Sequence, residues 1–230
     1  KPDTTSRDSV DKILDMVALP EEQSGASQEG QDATRQIEDI LKRNLKLVFS
    51  DETFGAIEAS WRGLELLLGQ VNSRDIDIRI EIVPVSLDSL DETLAALTAE
   101  VIDALPSLIL VDLGFDNSPR CLDLLERIGQ FAETLLVPAI TWIRPEFFHI
   151  DAWEDITRLG FLPHHLEEAP YARWQSLRKS SAGGWLTATC NRFLARYPYG
   201  KDNQPRRIMF EEPNPLWISP VWALGSLIGR

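Results

Sequence analysis

The sequence predicts an α/β fold: a mainly parallel or mixed central sheet flanked by helices, with an N-terminal helical arm ahead of it. Three observations predict it. IDIRIEIV (Ile76 to Val83) alternates apolar and charged residues strictly, the period of a strand with one wet face. SLILVDL (Ser107 to Leu113) is a near-continuous apolar run, as expected of a strand covered on both faces, and VPAITWI (Val137 to Ile143) is a third strand candidate. Helical patterns with short connections separate these segments, and strand–helix–strand–helix–strand predicts right-handed crossovers with helices against the sheet.

The elements follow in order. SVDKILDMVAL places Val10, Ile13, Leu14 and Val17 on one helical face, with Ser9 as N-cap and Pro20 after the end. PEEQSGASQEGQ behind it is polar and small, a linker. Residues 1–31 therefore read as an N-terminal helix and flexible linker, and 32–230 as the α/β domain. A helix of about 11 residues is marginal alone in water, so this one docks, waits for a partner, or frays as a terminus. Asp32 to Val48 is a second amphipathic stretch, with Ile37, Ile40, Leu41, Leu45 and Val48 in register. Ser50 reads as the cap of a further helix, and its stripe Phe54, Ile57, Trp61, Leu64 and Leu68 reads as core. SLDSLDETLAALTAEVIDAL is a capped helix, and SPRCLDLLERIGQFAETL another, with Pro119 in its first turn. After Pro145 the pieces shorten. PHHLEEAP reads as a break, APYARWQSLRKS as a helix, GGWLTATCNRFLARY as helix or strand, and YPYGKDNQPRR as a long turn. SPVWALGSLIG closes as a helix with Ser219 as cap and Pro220 first.

Composition bounds the function. An apolar content of 43% supports a real core. No apolar run reaches the ~18 residues that span a bilayer, and the polar start KPDTTSRDSVDK shows no leader, so a cytoplasmic chain without membrane partners is expected. Cys121 and Cys190 have neither disulfide-framework nor metal spacing and read as buried free thiols. The net charge of −13 argues against general affinity for nucleic acid. Yet Arg173 to Arg207 holds eight basic residues and one acid, a local +7 that leaves −20 for the remainder. Such polarity fits an acidic partner, including another copy of the chain; a basic patch for RNA or another polyanion is the competing reading.

No cofactor or metal and no catalysis are expected. No glycine-rich phosphate loop follows any strand, and no nucleophile-elbow pattern is present. Asp112 ends ILVD, where α/β enzymes often place an acid, but the LGFDNSP that follows reads as an ordinary loop into a helix. The adjacent His164 and His165 point in different directions on any regular element and read as surface, and His149 as packed or capping.

Several stretches together resemble one family. EASWRGLELLL carries a Trp-Arg-Gly-Leu helix signature. YARWQSLRKSSAGGWLTATCNRFLARYPYG carries a longer one, and FEEPNPLW and SPVWALGSLI continue it. Together they resemble the large subunit of the bacterial type VI secretion contractile sheath, the TssC/EvpB/VipB family. The resemblance implies a mixed α/β structural protein that pairs with a small sheath subunit and with other copies of itself. The resulting tube contracts to drive an inner tube protein outward. In some members an N-terminal helix is also the tag for a AAA+ recycling ATPase. SVDKILDMVALP matches it in position, so Ile13, Leu14, Met16, Val17 and Leu19 are the expected contacts. Family members are longer, and their C-terminal half is expected to be absent from this chain.

NRFLARYPYG concentrates arginines and aromatics. Arg192 and Arg196 are spaced i, i+4 and would share one face of a helix. Stacking on Tyr197 or Tyr199, or pairing with acids, would hold them in an intramolecular or intersubunit clamp. The expected clamp or subunit-interface residues are Trp61, Arg62, Arg173, Trp174, Arg178, Arg192, Phe193, Arg196, Tyr197 and Tyr199.

Overall fold

The computed structural model describes residues 28–71, 78–101, 104–205 and 207–229. The chain divides into two units, residues 1–45 and 46–230. The first contributes most of helix α1 (Gln28–Phe49), whose apolar side chains recur at helical spacing. The expected N-terminal helix with Ile13, Leu14, Met16, Val17 and Leu19 lies outside the described residues.

In the second unit α2 (Glu52–Gln70) is capped by Asp51, whose carboxylate accepts from the Phe54 N–H at 2.8 Å. The expected cap Ser50 instead donates its hydroxyl to the Lys46 carbonyl, finishing the preceding helix. An ionised acid at an N-cap also complements the helix dipole. Then come α3 (Leu90–Glu100), β1 (Ile109–Phe115), α4 (Pro119–Leu135) and β2 (Ala139–Ile143). Ser118 caps α4 by accepting from Cys121 N–H, and Pro119 fits the first turn, where its missing N–H costs nothing. Short helical turns at Pro145–Phe148, Trp153–Arg158 and Leu162–His165 lead to α5 (Ala172–Lys179), β3 (Leu186–Thr189), β4 (Phe193–Arg196), β5 (Leu216–Ile218) and α6 (Pro220–Ile228).

The main sheet has the order β1-β2-β3, all parallel. Ala139 pairs with Ile109 on one side and with Leu186 on the other. The sheet is therefore parallel as expected, but its third strand is β3, from the segment left between helix and strand. Residues 78–83, expected as a strand, form no ladder among the described residues. Ile82 and Val83 stand 64% and 42% exposed. Alternation states which side chains share a face, but a ladder also needs a free strand edge, and here none is engaged. β4 and β5 form a separate antiparallel pair.

The core lies between the sheet and α4. Phe115, Leu125, Ile128, Phe147 and Tyr171 are fully buried, with Trp153, Trp174 and Leu177 packed around them. Phe147 meets Trp174 edge-on at 5.2 Å between ring centroids. Helix α2 packs against α6. Its buried positions are Gly63, Leu64 and Leu67, whereas Ile57, Trp61 and Leu68 are 54%, 66% and 56% exposed. The stripe read as core is thus mostly outward. Close approach decides the face, because a Cβ on Gly63 would stand 2.3 Å from the Trp222 indole. Only a residue without a side chain lets α6 in there.

Candidate interaction site around Arg196

Residues 192–205 and 207–212 run as a strand, a closed turn and a return. β4 carries Arg196, the Tyr199 carbonyl accepts from Glu212 N–H at 2.9 Å, and Asn203 donates to the Tyr197 carbonyl at 2.8 Å. Arg192 and Arg196, expected on one face of a helix, instead lie just before and at the end of strand β4, where a register shift interrupts the ladder between Leu194 and Arg196, and they reach different acids, Glu154 and the Glu58–Glu212 pair.

Arg196 is the centre. Its Nε donates to Glu58 Oε1 at 2.8 Å and Nη2 to Glu58 Oε2 at 2.7 Å, a bidentate fork. Nη2 also reaches Glu212 Oε1 at 3.0 Å, and Nη1 bonds Glu212 Oε2. Glu212 accepts in addition from the Tyr199 N–H at 3.1 Å. The guanidinium lies 4.4 Å from the Tyr199 ring centroid and 5.4 Å from that of Phe49. Phe49, Phe54, Tyr199 and Phe210 pack against each other at 5.0–5.5 Å, closing an aromatic wall. The Arg196, Glu58 and Glu212 side chains are 10%, 15% and 5% exposed. Two carboxylates to one guanidinium leave an excess negative charge, which Arg62 offsets from 3.7 Å on the Glu58 side while also holding Glu65. Hydrogen bonds from Arg196 hold the Glu58 carboxyl below the usual carboxylate range, against burial, which pulls it up.

The other expected residues are distributed around this node. Arg192 stacks over Trp217 at 4.2 Å and donates to Glu154 at 2.7 Å. Arg173 pairs with Asp123 of α4. Trp174 is a core residue of this chain. Trp61, Phe193 and Tyr197 are exposed at 66%, 49% and 69%. Arg178 is exposed and has no ion pair among the described residues; it lines a shallow groove of about 250 Å³ with Trp174, Leu177, Gly183, Leu186 and Ala188. Sequence reasoning did not single out Glu58, Glu212, Phe49 or Trp217. The two glutamates stand inside the quoted signatures EASWRGLELLL and FEEPNPLW, which is the signal that points to them.

Other polar clusters are closed on themselves. Asp112 accepts from Ser60 Oγ at 2.9 Å and from Ser219 Oγ at 2.6 Å, tying β1 to α2 and to the start of α6. Ser219 begins α6 as expected, but its hydroxyl goes to Asp112 and not to the helix. At the carboxyl ends of β1 and β2, where α/β folds commonly bind ligands, Arg144 pairs with Asp116 at 3.0 Å and Asn117 donates to the Pro170 carbonyl. Burial pushes the Asp116 carboxyl up, but the bonds from Ser118 and Cys121 and the Arg144 charge outweigh it and bring it down to about 2. His165 bridges Glu168 and the Tyr171 hydroxyl, the latter at 2.8 Å. This chain resembles a catalytic relay, yet Tyr171 is fully buried, and burial with the Glu168 charge pushes its hydroxyl up to about 12. It stays a protonated phenol within the core. Cys121 is buried as expected, whereas Cys190 is exposed. No described helix is long and apolar enough to cross a membrane. Among the described residues no group of three His, Cys, Asp or Glu side chains is placed to hold a metal.

The fold and site thus define a mixed α/β body in which many charged groups join its own elements and several large aromatics stand on the surface. The chain belongs to the VipB family, described as the EvpB/VC_A0108 tail sheath N-terminal domain, whose model matches residues 31–105 and 106–230. It is also similar to the type VI secretion system sheath protein TssC1 of Pseudomonas aeruginosa, 25% identical over 232 residues, covering 86% of this chain and 46% of that protein. The chain thus spans about half the length of this curated relative.

Proposed function

We propose that the chain is a structural component of the type VI secretion contractile sheath. It assembles with a small sheath subunit and with copies of itself into a cytoplasmic tube whose contraction propels an inner tube protein, without catalysis by this chain. The observation that carries this reading is the family match across both segments, from residue 31 to residue 230. The site geometry supports it. The Arg196 node ties α2 to β4, and Trp61, Tyr197 and Phe193 are exposed. Aromatics in such positions are the usual anchors of protein–protein contacts. The segment SVDKILDMVALP is our candidate for the recycling-ATPase tag.

The polyanion reading loses support from the same geometry. Arg173, Arg192 and Arg196 are each committed to an acid of this chain, so three of the segment's eight basic residues are neutralised internally. Co-expression with a small sheath subunit tests the proposal. Copurification, with tubes visible by electron microscopy for the complete polypeptide, is the expected result. Failure to copurify, together with micromolar single-stranded RNA binding of steep salt dependence, would overturn it.

A further inference from the structure

We propose that helix α1 is a self-pairing surface, through which two copies of the free chain associate antiparallel about a two-fold axis between Lys42 and Arg43. The inference stands apart from the sheath reading. Its starting point is an apolar stripe that the described residues leave uncovered: Ile37, Ile40, Leu41 and Val48 are 58%, 50%, 40% and 44% exposed, with Leu45 half-buried among them. A stripe of this kind is stable only when something covers it.

The spacing of the stripe identifies what covers it. Positions 37, 40 and 41 mirror positions 48, 45 and 44 about the midpoint between residues 42 and 43. An antiparallel copy therefore sets Ile37 against Val48, Ile40 against Leu45, and Leu41 against Asn44, each contact occurring twice. A stripe that reads alike in both directions is self-complementary, as a two-fold contact requires.

Charge selects the antiparallel arrangement. Within α1, Glu29, Asp32, Glu38 and Asp39 outweigh Arg35 and Lys42 before the axis, a net −2, and Arg43 and Lys46 give +2 after it. Parallel copies would lay acid along acid and base along base. Antiparallel copies lay each acidic half along a basic half, within the roughly 10 Å over which charges act at ordinary salt. Glu38 and Lys42 border the same edge of the stripe, 3.9 Å apart within one chain, and across the pair each also meets the other copy's opposite charge. Asn44 is the polar residue within the stripe; a buried amide at such a position restricts register and weakens pairing.

Sedimentation velocity of the full chain over a concentration series tests this. The expected species at high concentration has twice the 26.0 kDa of the chain. Ile40→Glu should abolish it while far-ultraviolet circular dichroism stays unchanged. Glu38→Lys and Lys42→Glu should each weaken pairing about tenfold or more, because like charges then face each other twice. An equimolar mixture of those two variants should restore the pair, since every reversed charge meets its complement in the other copy. Asn44→Leu should tighten it. A wild-type chain that stays monomeric throughout overturns the proposal, as does an Ile40→Glu chain that still pairs. So does a mixture that associates no better than its components, the result expected if α1 instead takes a helix of a different chain.

Discussion

Arg196 and Glu58 face each other in a two-bond fork, 2.8 and 2.7 Å, although 138 residues separate them in the chain. The fork joins β4 to α2, and Glu212 closes it from the other side. Removing the cation would leave Glu212 without its ion pair and Glu58 with only Arg62 at 3.7 Å, and breaking a buried pair costs about 3–5 kcal/mol where it has been measured. Arg196→Met should therefore lose stability on that scale in urea titrations. Arg196→Lys should recover part of it, because it restores the charge but not the planar fork. Equal losses for the two variants would show that geometry alone matters at this node.

This node and the Asp116–Arg144 pair make stability depend on acid. Both Glu58 and Asp116 have folded-state values below their ordinary ones, Asp116 at about 2. A carboxylate depressed on folding contributes stability that is complete above its unfolded value, about 4 for these residues, and is lost as pH falls toward the folded value. Urea midpoints should accordingly hold from pH 7 to about 5 and then fall steadily below about 4. Glu58→Gln should start lower at pH 7 and fall less steeply through that window. A variant with the full wild-type acid slope would remove Glu58 from the account.

Gly63 sits beneath Trp222 with no space for a methyl group, the nearest indole atoms being 2.3–2.4 Å from where its Cβ would lie. On an exposed helix Gly→Ala would stabilise by up to about 1 kcal/mol. Here overpacking should reverse the sign, with Gly63→Ala losing about 1–3 kcal/mol as α6 is pushed off α2. Reducing the indole should relieve it, so Gly63→Ala with Trp222→Leu should lose less than the sum of the two single changes.

What was legible in the sequence follows from the range of the physics involved. α4 and β2 were readable because their signals are local: Ser118 and Pro119 open the helix, and apolar runs mark the strands. β3 was not, because LTAT is a strand only by pairing with Ala139–Trp142, more than forty residues earlier. Residues 78–83 show the converse, a strand-like alternation with no edge engaged. The face of α2 was misassigned because apolar periodicity favours Trp61 and Leu68, whereas a glycine's lack of bulk determines the contact. Arg196 was singled out as a clamp residue for sound reasons, but a guanidinium states only that it needs acids. That they are Glu58 and Glu212 depends on the whole fold. Whether Trp61 and Tyr197 meet another chain belongs to the proposal.

Leu136 ends α4 in the left-handed region, φ 57° and ψ 38°, and is 70% exposed. Helices commonly place glycine there, because a Cβ in that conformation costs about 1–2 kcal/mol. The exposed side chain contributes little burial in return. Leu136→Gly should raise stability by roughly 0.5–1 kcal/mol after the added freedom of the unfolded glycine is subtracted. A loss instead would mean that the leucine is held by contacts made in solution on that surface.

Asp112 gives the sharpest test of whether this chain's buried acids serve structure. It accepts Ser60 on α2 and Ser219 at the head of α6, so one carboxylate positions two helices against β1. Removing it leaves the nearly buried Ser219 hydroxyl without its acceptor, at a cost of about 1–3 kcal/mol. Asp112→Ala should lose that much, and Ser219→Ala about half as much. The double variant should lose clearly less than their sum, since the hydroxyl and the carboxylate then disappear together. Strict additivity would mean that the bond carries no energy of its own. The case for reading Asp112, near the end of a parallel strand, as chemistry would then reopen.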